Sequence, residues 1–308
     1  MADSQSIKWI TRAFGIFSGL ALALSLAACA RQNISNQLQV VATTSIIGDM
    51  AQNVAGDKID VVTLLKPGVD PHEYEPVPSD LQAIAQAKIV FANGAGLEPW
   101  LPKLMASAGP QIKVKNVSDG LPLRTLQANG ATIDDPHLWF DVQNAIHYTE
   151  QIRDELIAID PSNADTYRSN AEAYIDQLKD LDAWVIQQVN SLPVDRRLLV
   201  TNHDTFGYFA ARYGFKVLGT VFPTGGAEAS PSAQQIAELV NKIKNAKVKA
   251  VFTENTLNPD LADTIAQEAG VKIISELYTD SLGPAGSPAS TYIDLMRFDV
   301  TTIVKALK

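Results

Sequence analysis

Three of the four histidines stand where a local constraint would aim them. His72 lies in KPGVDPHEYEP (66–76), His137 in DDPHLWFD (134–141) and His203 in TNHDTF (201–206). The first two share the tripeptide Asp-Pro-His. Proline fixes its own φ and restricts the residue before it, so the following histidine rides on a stiffened loop. A metal ligand needs such control, because its side chain must point within narrow limits. His203 follows the apolar run RLLVT (197–201), and Asp280, in LYTDSLG (277–283), follows another run of strand character. In open α/β sheets, ligands bind at the carboxyl ends of strands. Three neutral imidazoles and one carboxylate make a donor set suited to zinc or manganese. His72 and His137 come from the first half and His203 and Asp280 from the second, so a shared ion would close the gap between halves.

Each residue has an ordinary reading beside this one. A loop histidine is usually just solvated, and an aspartate after a strand is more often a cap or turn residue. The four positions are spread too widely for a local motif such as a zinc finger. Glu254, ending VFTE (251–254), is read either as an acceptor for a histidine N–H at the edge of the site or as a plain cap. His147, in NAIHY (144–148), is read as an ordinary helical residue.

The elements that would position these residues alternate. Residues 38–44 read as a short buried strand, 46–54 as a helix and 59–65 (IDVVTLL) as a β-branched strand. Residues 81–87 read as a helix and 88–91 as a strand. This βαβ order implies parallel sheets with helices on their faces. The order breaks at 162–191, where Ala171, Tyr174, Ile175, Leu178, Leu181, Val185, Ile186 and Val189 recur at helical spacing. About 30 helical residues would extend roughly 45 Å. Such a helix would join two lobes and resist wide hinge bending. Strands are then expected at 197–201, 249–253 and 271–275, and helices at 206–213, 232–245, 261–269 and 292–307. The fold class is α/β: two lobes with parallel-type sheets joined by one long rigid backbone helix. The expected boundaries are 38–161 for the N-terminal lobe, 162–192 for the linking helix and 193–308 for the C-terminal lobe.

The first residues read as an export signal. Lys8 and Arg12 precede an apolar run at 13–28, which is shorter than the ~20 residues of a membrane span. The run ends in Leu26-Ala27-Ala28-Cys29, the pattern of a bacterial lipoprotein cleavage site, and Cys29 is the chain's single cysteine. The expectation is a signal peptide at 1–28, lipid on Cys29 and a polar tether at 29–37. The mature protein would hang from a membrane by its lipid, either periplasmic or on the outer face of the cytoplasmic membrane. A net charge of −9 argues against nucleic acid as a partner.

Taken in order, several stretches carry a resemblance. They are the lipobox ending at Cys29, VVATTSIIGDMAQNVAGD (40–57), LLKPGVDPHEYEP (64–76), DPHLWFD (135–141), TNHDTFGYFAARYG (201–214), PSAQQIAELVNKIKNAKVKAVFTE (231–254) and the tail from LYTDSLGP (277–284) through TYIDLMRFDVTTIVKAL (291–307). From about residue 38 to 308 the chain resembles the adhesin-type family of zinc/manganese solute-binding lipoproteins that serve ABC importers. The resemblance implies two α/β lobes on a rigid helix and a metal held between them by His72, His137, His203 and Asp280. It also implies capture of zinc or manganese as transported cargo, delivery to an ABC permease, action as a monomer and no enzymatic activity. Some manganese binders of the family have glutamate at the third ligand, where this chain has His203. Many zinc-specific members carry a histidine-rich loop after the first ligand block, yet residues 73–136 hold no histidine. Affinity at N/O sites favours zinc over manganese whatever the physiological metal. The rival readings are a binding protein for a metal chelate or other small ligand, a secreted zinc hydrolase and a surface adhesin. A hydrolase would keep an open coordination position on zinc and a general base, and the sequence has no His-Glu-x-x-His.

Overall fold

β-branched and apolar runs set up the first sheet. The computed structural model describes residues 37–128, 131–222 and 231–308. The expected signal peptide, Cys29 and the tether up to residue 36 lie outside the described residues. The elements run β1 (Leu38–Ala42), α1 (Ser45–Ala55), β2 (Ile59–Thr63), α2 (Pro78–Gln86), β3 (Ile89–Ala92), α3 (Leu101–Ala108) and β4 (Lys113–Asn116). The four strands are parallel in the order β2-β1-β3-β4. All four residues of β3 are buried, as expected of a strand covered on both faces. Strand order reverses between β1 and β3, which opens a crevice beyond their carboxyl ends. Thr44 caps α1 by accepting the Ile47 N–H at 3.3 Å, which turns the chain sharply at that crevice.

A feature absent from the sequence expectation comes next. β5 (Thr125–Ala128) and β6 (Ala131–Asp134) pair as an antiparallel hairpin. Every residue of β6 is exposed, so no alternation of apolar and polar residues marked it. Then come α4 (Val142–Ile159) and α5 (Ala164–Val189). With 26 residues, α5 extends about 39 Å. It is a little shorter than the expected linking helix, because Pro161 starts a separate 3₁₀ turn over Pro161–Asn163. Tyr167, Ala171, Tyr174, Leu178, Leu181, Val185 and Val189 form its buried stripe. Ile186 was expected in that stripe but is 41% exposed, since it lies a full 100° of helical turn past Val185. Asp182 is buried in its stead. Its carboxylate accepts from Tyr213 Oη at 2.8 Å, Gln143 Nε2 at 3.0 Å and Arg212 Nη2 at 2.5 Å.

The second half comprises β7 (Leu198–Thr201), α6 (Gly207–Tyr213), β8 (Lys216–Thr220), α7 (Ala233–Ala246), β9 (Ala250–Glu254), α8 (Asp260–Ala269), β10 (Lys272–Leu277) and α9 (Tyr292–Leu307). β7 pairs in parallel with β8, and β9 with β10. β7 also runs beside β9. Ser232 and Gln235 form a reciprocal capping box at the start of α7. Gly270 ends α8 at φ +71°, a left-handed turn that suits glycine. α5 packs against α1, α4 and α9. One apolar cluster runs from Val40 and Phe91 through Leu178 and Leu181 to Phe252 and Val300, so both halves share a core. The architecture is the expected one: two parallel-sheet halves built against a single long helix.

Candidate metal centre

The loops that leave the carboxyl ends of the strands bring four side chains to one point. His72 lies on the loop after β2. Asp70 Oδ1 accepts its backbone N–H at 2.8 Å, and Trp100 Nε1 donates to the Pro71 carbonyl at 2.9 Å. His137 follows β6. Asp135 Oδ1 accepts its backbone N–H at 3.1 Å and also lies 2.9 Å from its Nδ1. Asn93, just past β3, donates to the Pro136 carbonyl at 2.9 Å and accepts from Tyr148 Oη at 2.6 Å. His203 follows β7, and Asp280 follows β10. Both Asp-Pro-His segments therefore form the same turn, with the aspartate capping the histidine two residues on.

His72 Nε2 and His203 Nε2 each lie 3.2 Å from His137 Nε2. Asp280 Oδ2 is 3.2 Å from His203 Nε2, and its Oδ1 is 3.6 Å from His137 Nε2. One ligand atom from each of the four residues lies within 4.8 Å of the other three. Metal–ligand bonds of about 2.0–2.1 Å place the corners of a tetrahedron about 3.3 Å apart, so these spacings fit a single small cation. Imidazole nitrogens facing one another this closely need either a shared proton or a cation between them. His137, His203 and Asp280 are fully buried, and His72 is half-buried. A cavity of about 500 Å³ lined by Ala95, Gly96, Leu126 and Ile133 reaches His72 and His137 from solvent. His147 goes elsewhere, with its Nε2 2.9 Å from the Asp119 carbonyl.

The electrostatics favour a cation. Burial pushes the His72 pKa down to about 3, against the pull of Asp280, so this ring is neutral. Burial alone would also lower that of His203. The carboxylates of Glu254 and Asp280 on either side overturn this and raise it well above the ordinary value. Burial likewise opposes ionisation of Asp280, yet His203, His137 and His72 hold its carboxyl below the usual range. Burial and then the nearby Asp280 push Asp70 up to about 7. Among the described residues the Asp280 carboxylate meets no donor except the histidines of the centre itself, so both oxygens face the place a cation would take. Glu254 sits against His203: its Oε2 is 2.6 Å from Nδ1. Asp70, Asp135 and Asn93 were not anticipated. The repeated aspartate of Asp-Pro-His was the available signal for two of them.

The family described as the periplasmic component A of the zinc-uptake complex matches residues 40–306. The chain belongs to this family. Among its relatives, the manganese-binding lipoprotein MntA of Halalkalibacterium halodurans is 38% identical over 94% of this chain and 96% of its own. The iron ABC transporter substrate-binding lipoprotein MtsA of Streptococcus pyogenes is 36% identical over 89% of this chain and 90% of its own. The solved periplasmic zinc-binding protein TroA of Treponema pallidum superposes with a TM-score of 0.81 at 32% identity, covering 88% of this chain and 99% of that one. The three similar proteins are thus named for three different metals.

Proposed function

We propose that this chain is an extracytoplasmic substrate-binding protein that captures one divalent transition-metal ion, zinc or manganese, and delivers it to an ABC permease. The observation that carries the reading is the convergence of His72, His137, His203 and Asp280 with spacings fitted to one small cation. The relatives' names support the same role, since they describe metal-binding lipoproteins and ABC transporter components. In this reading the four side chains are the ligands and Glu254 braces His203. The lipid on Cys29 keeps the monomeric protein beside its importer. The ion is cargo: four protein ligands fill a tetrahedral shell, which suits holding rather than hydrolysis.

The test is titration of the metal-stripped mature protein with zinc, manganese and iron(II) separately. Wild type binds one equivalent, and His72→Ala abolishes or severely weakens binding. His203→Glu shifts the zinc-to-manganese affinity ratio towards manganese, because a carboxylate is the harder ligand. Failure of wild type to bind any of the three ions at one equivalent overturns the reading.

A further inference from the structure

Each histidine of the centre has a partner from outside the ligand set that fixes its ring or its backbone, whereas the Asp280 carboxylate meets only the histidines of the centre. His137 leans on Asp135, His203 on Glu254, and the His72 backbone on Asp70. The direction of Asp280 must therefore come from the backbone on either side of it. On the near side, Asn255 Oδ1 accepts the Thr279 N–H at 3.3 Å. On the far side stands Ser281, fully buried, whose hydroxyl reaches across to the other half of the molecule.

Ser281 Oγ accepts the Gly68 N–H at 2.7 Å, on the loop that leads to His72. It lies 3.3 Å from Ser45 Oγ at the start of α1. Ser45 Oγ in turn accepts the Leu282 N–H at 2.9 Å, and Ser281 Oγ is 3.1 Å from the Leu282 carbonyl. One proton arrangement satisfies every group. Ser45 donates to Ser281, Ser281 donates to the Leu282 carbonyl, and the two backbone N–H groups point in. Gly68 sits at φ +85° with open space where a Cβ would go, so glycine is needed there for conformation alone.

We propose that Ser281 and Ser45 are positioning residues: a two-hydroxyl latch that ties the Asp280 loop to the His72 loop and to α1. It presents the Asp280 carboxylate to the ion only while the two halves are together. This rests on the metal-capture reading above. The latch joins segments more than 200 residues apart in sequence. Its neighbour in the chain is a ligand whose carboxylate has no partner outside the centre. Loss of the latch frees Asp280 to leave the ion, so its signature is faster release.

The test is the rate at which a strong chelator removes zinc from the full mature protein, for wild type, Ser45→Ala, Ser281→Ala and the double variant. Each single variant releases zinc up to about tenfold faster than wild type, the effect expected of one lost buried hydrogen bond. The double variant releases it no faster than the quicker single one, because the two hydroxyls act as a unit. The thermal midpoint of the metal-bound protein drops more than that of the metal-free protein. Release rates equal to wild type in both single variants overturn the proposal. So do equal drops in the metal-bound and metal-free midpoints, which mark a plain packing role. Ser45→Ala leaves Ser281 in place and decides the matter even if Ser281→Ala fails to fold. The metal-capture reading fails separately, through absence of zinc binding by wild type.

Discussion

Glu254 holds His203 at two points: its Oε1 accepts the backbone N–H at 3.0 Å, and its Oε2 lies 2.6 Å from Nδ1. The carboxylate is itself held by Thr279 Oγ1 at 3.0 Å. A proton kept on Nδ1 leaves the lone pair of Nε2 facing the centre. Replacing Glu254 with Gln is expected to keep the one-to-one stoichiometry and to lower metal affinity ~10–100-fold. Isothermal titration reads this directly, and unchanged affinity would remove the assigned role.

Metal uptake is expected to expel protons. The raised pKa of His203 means that the metal-free ring carries two protons near neutral pH, and the one on Nε2 occupies the ligand position. Asp70, pushed up to about 7, is also partly protonated there, and an incoming cation favours its ionised form. Acid therefore competes with the ion, and affinity falls as pH drops through about 7, where Asp70 takes up its proton and His203 already holds its own. Titrations in buffers of different ionisation enthalpy should give different apparent binding enthalpies. Identical enthalpies in all buffers would show that no proton leaves.

Asp299 gives a second pH effect, this one on stability. Its Oδ1 accepts the Tyr278 N–H at 3.0 Å, while Oδ2 is buried with no hydrogen bond. Burial raises its pKa well above the usual carboxylate value. The unfolded chain ionises this group at about 3.9, so the folded state binds more protons and loses stability as pH rises above that value. Asp299→Asn keeps the acceptor and lacks the titration. Its thermal midpoint relative to wild type, both metal-free, should rise between pH 5 and pH 8. A difference that stays constant across that range would contradict the account.

Asp182 predicts a purely structural loss. It is nearly buried on α5 and receives hydrogen bonds from α4 through Gln143 and from α6 through Arg212 and Tyr213. Asp182→Ala strands these donors and is expected to cost roughly 2–4 kcal/mol. For a chain of this size that is a fall in thermal midpoint of roughly 5–12 °C. Zinc stoichiometry at 20 °C should be unchanged, because no ligand loop hangs on this carboxylate.

The parts of this protein that could be read in the sequence are those with local causes. The βα alternation, the stripe on α5 and the two Asp-Pro-His turns are each set by neighbours within a few residues. The pairing of β5 with β6 escaped because β6 is exposed at every position. Asp182 escaped because its partners lie 30 to 39 residues away. Asn93 holds the Pro136 carbonyl from 43 residues away, and no periodicity in the sequence records that link. The four candidate ligands were found because loop chemistry and strand ends marked each one separately. Their mutual distances could come only from the fold.

The shared core has a consequence for how the protein comes apart. Leu178, Leu181 and Val185 of α5 are packed in the same cluster as Ile47 from one sheet's side and Ile303 from the other. Neither half can melt while leaving the other's apolar surface covered. Despite two halves, heat or denaturant should produce one cooperative transition, with no stable fragment to be trimmed by proteases. In the proposed role outside the cytoplasm, such a molecule is either whole or fully open to digestion. Half-folded copies are a state this packing does not support.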